Sequence, residues 1–362
     1  VPLRVGIVGL PNAGKSTLLN ALAGAGAPVA AYPFTTIDPN RGMVAVPDER
    51  LGAIAGVTHP QRVVPAAVEF VDIAGLVRGA HRGEGLGNQF LAHIREVDAI
   101  VHVVRLFRAP DVPHVEGELD PLRDAEIVET ELALADLSTV ERVREKIAPR
   151  ARSGVKGAQQ ELALADRVRE ALQRGLPARR LDLPPAEAEQ VSQWHLLTLR
   201  PVIYVANISE DVPLQEPRVQ SLVRHAEAED AAVVVVNARL ESELADLSPE
   251  EAAEFRAAAG EEAALPRLVR AAYALLGYVT FFSVVSAEVR AWPVVRGTTA
   301  VEAAGRIHTD MARGFIRAEV IPWQTLVAAG SLHQARERGL LRLEGRSYQV
   351  QDGDVITFRF AV

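Results

Sequence analysis

Cysteine is absent from the 362 residues, which excludes disulfides and thiolate metal ligands and leaves no mark of an oxidising compartment. Aromatic residues make up 5%, methionines number two, and lysine is reduced to Lys15, Lys146 and Lys156, so arginine carries nearly all the positive charge. Heat adaptation and a GC-rich source both produce such a composition. No apolar run approaches the roughly 18 residues that a membrane-spanning helix requires. The first residues read as a strand rather than as a charged segment before an apolar run, so the expectation is a cytoplasmic protein without a leader. The net charge of −8 argues against a protein that coats nucleic acid with its whole surface. Against these absences stands a hydrophobic content of 48%, enough to give each of two or three domains a core.

The stretch Gly9-Leu10-Pro11-Asn12-Ala13-Gly14-Lys15-Ser16 fits G-x-x-x-x-G-K-[ST], and its context supports the match. Leu3 to Val8 reads as a buried strand, and Ser16 to Leu22 has apolar residues at helical spacing. Glycine at 9 and 14 lets the backbone turn and approach a phosphate without a Cβ in the way, so successive N–H groups can face the anion. Lys15 supplies a point charge near the β- and γ-phosphates, Ser16 offers a hydroxyl to Mg2+, and the helix dipole favours negative charge at that end. Asn12, Ala13, Gly14, Lys15, Ser16 and Thr17 are therefore candidate nucleotide contacts.

Two later segments read as switches. Tyr32 to Gly42 is turn-rich and carries Thr35 and Thr36; Thr36 is the candidate to reach the metal and the γ-phosphate. Ala67 to Asp72 reads as a strand ending on an acid, the expected second partner of Mg2+ beside Ser16, while Gly75 leaves its N–H free for the γ-phosphate. The glycine series 75, 79, 83, 85 and 87 cannot form a stable helix and reads as a loop.

Further apolar, β-branched runs at 98–104, 201–207 and 231–236 indicate strands covered on both faces, hence a doubly wound, mainly parallel α/β sheet with ligands at the C-terminal strand ends. The roughly 90 residues between the fourth and fifth strands are too long for a plain loop. Helical spacing over 122–148, a turn from Pro149 to Gly157 and a second helix over 158–174 predict an inserted, coiled helical hairpin. From Arg142 to Arg180 this insertion holds eleven Lys or Arg against four acids, a tract that reads equally as a solvated helix face. Helices are expected near 214–228, 249–259 and 262–276, and composition changes at Gly277-Tyr278. Strand-like segments from Thr280 to Val285, Glu288 to Ala291 and Val355 to Phe360, around a helix from Thr299 to Met311, indicate a small α+β domain. The boundaries are 1–121 and 199–277 for the two parts of the nucleotide domain, 122–198 for the insertion and 278–362 for the last domain.

Together the motifs resemble the YchF family, a branch of the Obg-related P-loop GTPases in the translation-factor class. The resemblance covers the whole chain. It rests on the P-loop, Phe34 to Asn40, Asp72 to Phe90, Asn207-Ile208-Ser209-Glu210, and Ile307 to Asp310, Gly314 to Glu319 and Val350 to Asp354 near the end. It implies a P-loop NTPase domain, a coiled insertion and a ubiquitin-like TGS domain that together associate with ribosomes or RNA.

Two departures shape the expected chemistry. A guanine-reading Asn-Lys-x-Asp places Asp on the N1–H and 2-amino donors of the base, with the Lys stem over the ring. Here Ile208 and Glu210 occupy those places. The longer Glu side chain does not fit the same in-plane position, and Asn207 can still bond adenine at N7 and N6; in the family this departure accompanies ATP use. Glu210 as a mere turn cap would leave base choice open, and backbone near Asn237 is a further candidate base contact. Second, Leu76 stands where small GTPases carry a water-orienting glutamine, which predicts slow hydrolysis or a borrowed group. His81, His102 and His114 are the candidates. Asn12 occupies a position that potassium-activated relatives use to hold a monovalent ion, so K+ joins Mg2+ as a candidate cofactor. The expected protein is a slow ATPase switch on ribosomes or RNA, with no membrane role. Its rivals are a conventional GTPase translation factor and a nucleotide-stabilised RNA-binding module.

Overall fold

Residues 3–24, 40–73, 79, 86–109, 111–248, 250–252, 254–255, 263–285 and 287–361 are described by a computed structural model. In chain order the elements are β1 (Leu3–Val8), α1 (Lys15–Gly24), β2 (Arg41–Ala45), α2 (Glu49–Thr58), β3 (Arg62–Val64), β4 (Ala67–Asp72), α3 (Leu86–Arg95), β5 (Ala99–Arg105), α4 (Pro121–Arg152), α5 (Ala158–Gln173) and α6 (Pro185–Ser192). There follow β6 (Val202–Asn207), α7 (Pro217–Ala228), β7 (Ala232–Val236), α8 (Ala238–Ala245), α9 (Ala264–Leu275), β8 (Tyr278–Val285), β9 (Glu288–Val295), α10 (Ala300–Ile307), α11 (Thr309–Arg313), β10 (Phe315–Pro322), α12 (Trp323–Ala329), α13 (Leu332–Glu337), β11 (Arg342–Glu344) and β12 (Asp354–Phe360). They sort into two units, the first holding most of 3–24, 40–42 and 69–268, the second 43–68 and 269–361.

The first sheet runs β2-β4-β1-β5-β6-β7, with β1, β5, β6 and β7 parallel neighbours. Every residue of β5 and β6 is buried, which is what their β-branched runs require when helices cover both faces. The chain leaves β1 for strands on either side, so a crevice opens at its C-terminal end, where the glycine-rich turn lies.

The insertion is a helical hairpin. Asp120 caps α4 by accepting from the Arg123 N–H at 3.2 Å, and Pro121 sits in the first turn, where its missing N–H costs nothing. Where a turn was expected from Pro149, the helix continues to Arg152, and the Ser153 N–H and hydroxyl both donate to the Pro149 carbonyl at 3.0 Å. The reversal falls instead at Gly154 (φ 72°) and Gly157 (φ 82°). Val140, Leu164, Val168 and Leu172 form the seam between α4 and α5. At the base of the hairpin Asp136 is fully buried and accepts from the Leu197 and Thr198 N–H groups, each at 2.8 Å, and from the Thr198 hydroxyl at 2.6 Å.

The second sheet runs β11-β10-β12-β8-β9-β3, with β12 parallel to β8 and β3 parallel to β9. Phe281 stacks on Trp292 and meets Phe358 edge-on, with ring centroids at 6.3 and 5.9 Å. The helix expected from Thr299 to Met311 is two helices. Residue His308 is extended (φ −159°, ψ 142°), and its Nδ1 accepts from the Asp310 N–H, starting α11 afresh.

Asp136→Ala should lower unfolding stability by about 3 kcal/mol, because it strands three buried donors. Urea unfolding checks this; an unchanged midpoint would contradict the anchoring role.

Candidate nucleotide-binding site

The turn after β1 has the geometry that its glycines permit. Gly9 lies at φ 153° and Gly14 at φ 92°. A Cβ at Gly9 would stand 2.4 Å from the Val103 carbonyl oxygen, and one at Gly14 would stand 2.3 Å from Asn207 Nδ2, so neither position has room for a side chain. Asn12 also adopts a left-handed conformation, at φ 64°. Lys15 opens α1 and is only 8% exposed; its ammonium donates to the Leu10 carbonyl at 3.0 Å. Burial lowers its pKa and the charge of Asp72 acts against that shift, so an incoming phosphate would supply the anionic partner that the buried ammonium lacks.

Beside this turn lies a cleft of about 840 Å3. Its phosphate end is lined by Asn12, Gly14, Lys15, Ser16 and Thr17, its far end by Phe107, Val112, Asn207, Ile208, Glu210 and Asn237. The Ser16 hydroxyl donates to Asp72 Oδ2 at 2.5 Å, while Asp72 Oδ1 is buried without a hydrogen-bond partner among the described residues. A hydroxyl and a carboxylate with one oxygen unspent suit Mg2+, which takes few protein ligands and completes its shell with phosphate and water. No group of three or more His, Asp or Glu able to hold a metal occurs among the described residues. Thr36, Gly75, Leu76 and His81 lie outside them.

At the far end Asn207 is buried, and both sides of its amide are engaged: Nδ2 donates to the Ala13 carbonyl at 2.9 Å and Oδ1 accepts from the Ala238 N–H at 3.1 Å. It ties the phosphate turn to the start of α8 and also lines the cleft, with its second Nδ2–H not used by those bonds. Ile208 is half-buried, and its N–H donates to the Val236 carbonyl at 2.9 Å. Glu210 is exposed at the rim and bonds no described residue. Asn237 caps α8 by accepting from the Leu240 N–H at 3.1 Å.

Residues that the motif reading passed over complete the wall. Arg105, 5% exposed at the end of β5, donates to the carbonyls of Phe107 and Val112 at 3.2 and 2.9 Å, and its guanidinium lies 4.5 Å from the Phe107 ring centroid. Asn12 Nδ2 donates to the Pro113 carbonyl at 3.1 Å. Residues 106–109 and 111–113 are thus held between the phosphate turn and β5. Its place at a C-terminal strand end was the available signal.

Neither described histidine lines the cleft. In His114 both ring nitrogens are committed, Nε2 to Asp124 Oδ2 at 2.7 Å and Nδ1 to the Glu116 N–H at 3.1 Å. His102 is buried within β5, with its ring 5.4 Å from that of Tyr204. Asp124 and the Glu116 N–H hold the His114 ring, and the His102 ring belongs to the core. Burial pushes His102 down to about 4 from 6.5; the charges of His225, Lys15 and Arg179 act in the same sense and Glu129 opposes them. A histidine depressed in this way contributes stability that is intact above pH 6.5 and is lost as pH falls toward 4. His102→Phe, with His102→Gln as a check on packing, should lose less unfolding free energy than wild type between about pH 7 and pH 5, by about 2 kcal/mol. Urea titrations at the two pH values measure this, and equal losses would contradict a neutral buried ring.

Residues 4–140 match the family described as 50S ribosome-binding GTPase, and residues 278–361 match YchF-GTPase_C, described as a protein of unknown function. The chain is 48% identical over 364 residues to the ribosome-binding ATPase YchF of Bacillus subtilis, covering 99% of this chain and all of the relative. To the protein of the same name from Escherichia coli O157:H7 it is 46% identical, with 99% of both covered. The solved YchF GTPase of Schizosaccharomyces pombe superposes with a TM-score of 0.89 at 34% identity, covering 99% of this chain and 97% of the other. A GTP-binding protein of Pyrococcus horikoshii shares the fold, with a TM-score of 0.62 at 19% identity. With relatives matched from end to end at 46% and 48% identity, the chain belongs to the YchF family.

Proposed function

We propose that this chain is a ribosome-associated, cytoplasmic P-loop nucleotidase that hydrolyses ATP in preference to GTP, slowly and with Mg2+, and that it acts as a nucleotide-dependent switch. The observation that carries the nucleotidase reading is Lys15 and Ser16 lining the cleft, with Asp72 accepting from the Ser16 hydroxyl. Lys15 would exchange its bond to Leu10 for the β- and γ-phosphates, and the turn's N–H groups would face the same oxygens. Ser16 and Asp72 would hold Mg2+, with Thr36 as a third contact and Gly75 on the γ-phosphate; the ion supplies charge neutralisation at the phosphates. A K+ ion beside Asn12 belongs to the same reading. The names of the relatives, ribosome-binding ATPases, support the partner and the hydrolysis.

Base preference rests on the far end of the cleft. Ile208 gives an apolar surface where a guanine site uses the stem of a lysine, and Glu210 stands where that site needs a shorter carboxylate. Phe107 and Val112 add apolar wall, which tolerates adenine, and the shorter carboxylate on this rim, Asp211, accepts from the Ser209 hydroxyl. Slow hydrolysis is in keeping with the commitment of His102 and His114 elsewhere. For the switch, Glu131 of α4 accepts from the Gly79 N–H at 2.7 Å, so a residue of the glycine series touches the inserted hairpin. The TGS reading of 278–362 and the four domain boundaries are part of the same proposal.

Ile208→Lys with Glu210→Asp should move preference toward GTP by about tenfold or more, since a site built to bond the donors of a base discriminates strongly against the base that lacks them. Competition of ATP and GTP for a fluorescent nucleotide measures it. A double variant that still ignores GTP would place base choice elsewhere in the cleft.

A further inference from the structure

The basic tract of the insertion separates into two populations once its partners are known. Of its eleven cations, Arg144 and Arg169 lie against Glu141 and Asp166, Arg150 against Glu161, Arg167 against Glu187, and Arg179 and Arg180 against Glu229. That charge is spent inside the fold, largely on acids of neighbouring segments. Arg142, Lys146, Arg152, Lys156 and Arg174 remain, and of these Arg142 and Lys146 line one groove. Both are exposed, neither forms an ion pair with a described residue, and they stand four residues apart on one side of α4.

A third cation reaches the same place from an element far away in sequence. Arg95, the last residue of α3, lines with Arg142 and Lys146 a groove of about 420 Å3 between α3 and α4. Arg95 also lacks an ion pair with any described residue, although Asp136 feels its charge. Asp136, fully buried and bonded to the 197–198 backbone, offsets part of the Arg95 charge from beneath and forms no ion pair with Arg142 or Lys146. Glu141 is occupied by Arg144 and Arg169. The Arg142 guanidinium is already oriented: Nε donates to the Ser138 carbonyl at 3.2 Å and one terminal nitrogen donates to Thr139 Oγ1 at 3.1 Å. Leu91 and Val143 give the groove an apolar floor.

We propose that this groove is an anion subsite for the phosphodiester backbone of RNA, separate from the nucleotide cleft. The inference rests on the ribosome-associated reading and adds the place of contact. Three cations that form no ion pair with a described residue, around a concave, partly apolar floor, suit a thin, regularly charged strand, whose phosphates take the cations while a ribose meets the floor. A bilayer surface would need the cations on a flat or convex face. The groove also abuts the helix that follows the glycine series, and it lies on the helix whose Glu131 holds Gly79, so occupancy and nucleotide state share α4.

The test is a salt titration of binding to a fluorescein-labelled single-stranded RNA, followed by anisotropy, with the full chain. Arg95→Glu/Arg142→Glu/Lys146→Glu should weaken binding by about tenfold or more and make the slope of log affinity against log salt shallower by about 2, as expected for three lost phosphate contacts on a single strand. Arg95→Lys/Arg142→Lys, which keeps the charge, should stay close to wild type, and all variants should bind ATP unchanged. If wild type binds RNA and the reversed variant matches it in affinity and slope, the groove assignment is overturned while the ribosome reading stands. If wild type binds neither RNA nor ribosomes, both fall. Loss of binding to phosphatidylglycerol vesicles with RNA binding intact would overturn the subsite in favour of a lipid partner.

Discussion

The cleft depends on one buried amide. Asn207 holds the Ala13 carbonyl with its nitrogen and the Ala238 N–H with its oxygen, and the same Nδ2 lies where a Cβ on Gly14 would have to go. Phosphate turn, end of β6 and start of α8 are thereby set by a single side chain, and a buried amide has few alternatives once its partners are backbone groups. Around this tie the other contacts become meaningful. Lys15 is buried at a fixed height in the turn, Ser16 meets Asp72, and Arg105 with Asn12 holds the loop that walls the far end.

The inserted hairpin is joined to the nucleotide unit through side chains that are costly to lose. Asp136 caps the 197–198 turn from within α4, and Glu129 on the same helix accepts from the Tyr204 hydroxyl at 2.6 Å and meets His225 Nε2 at 2.8 Å. Glu131, also on α4, accepts from the Gly79 N–H. On the proposed switch, a helix attached in this way would pass a small displacement at the glycine series to its far end, because a long helix moves as a body. The unneutralised cations Arg142 and Lys146 sit along that lever.

The parts legible in the sequence were those with local cause. A turn that needs glycine at two places, a strand buried on both faces and a helix with a regular apolar stripe each announce themselves within a few residues, and β1, α1, β4, β5, β6 and β7 stand where the patterns put them. The helix break at His308 and the continuation of α4 through Pro149 were not legible, because single capping bonds decide them. Side-chain partners were the least visible. That Asn207 braces backbone, that His114 is held by Asp124, and that six cations of the basic tract are neutralised all depend on side-chain packing that no motif specifies. Arg105 and Phe107 went unread because no motif marks them, although their position after a central strand was visible.

The central claim is that this cleft is built for Mg2+ and an adenine nucleotide. The direct test is displacement of a fluorescent ATP analogue from the purified full chain by ATP and by GTP, each with and without Mg2+. The account predicts that ATP displaces at a concentration at least about tenfold lower than GTP, as a site lacking the guanine-reading carboxylate should, and that removing Mg2+ weakens both. Equal or tighter binding of GTP, or affinities indifferent to Mg2+, would contradict it.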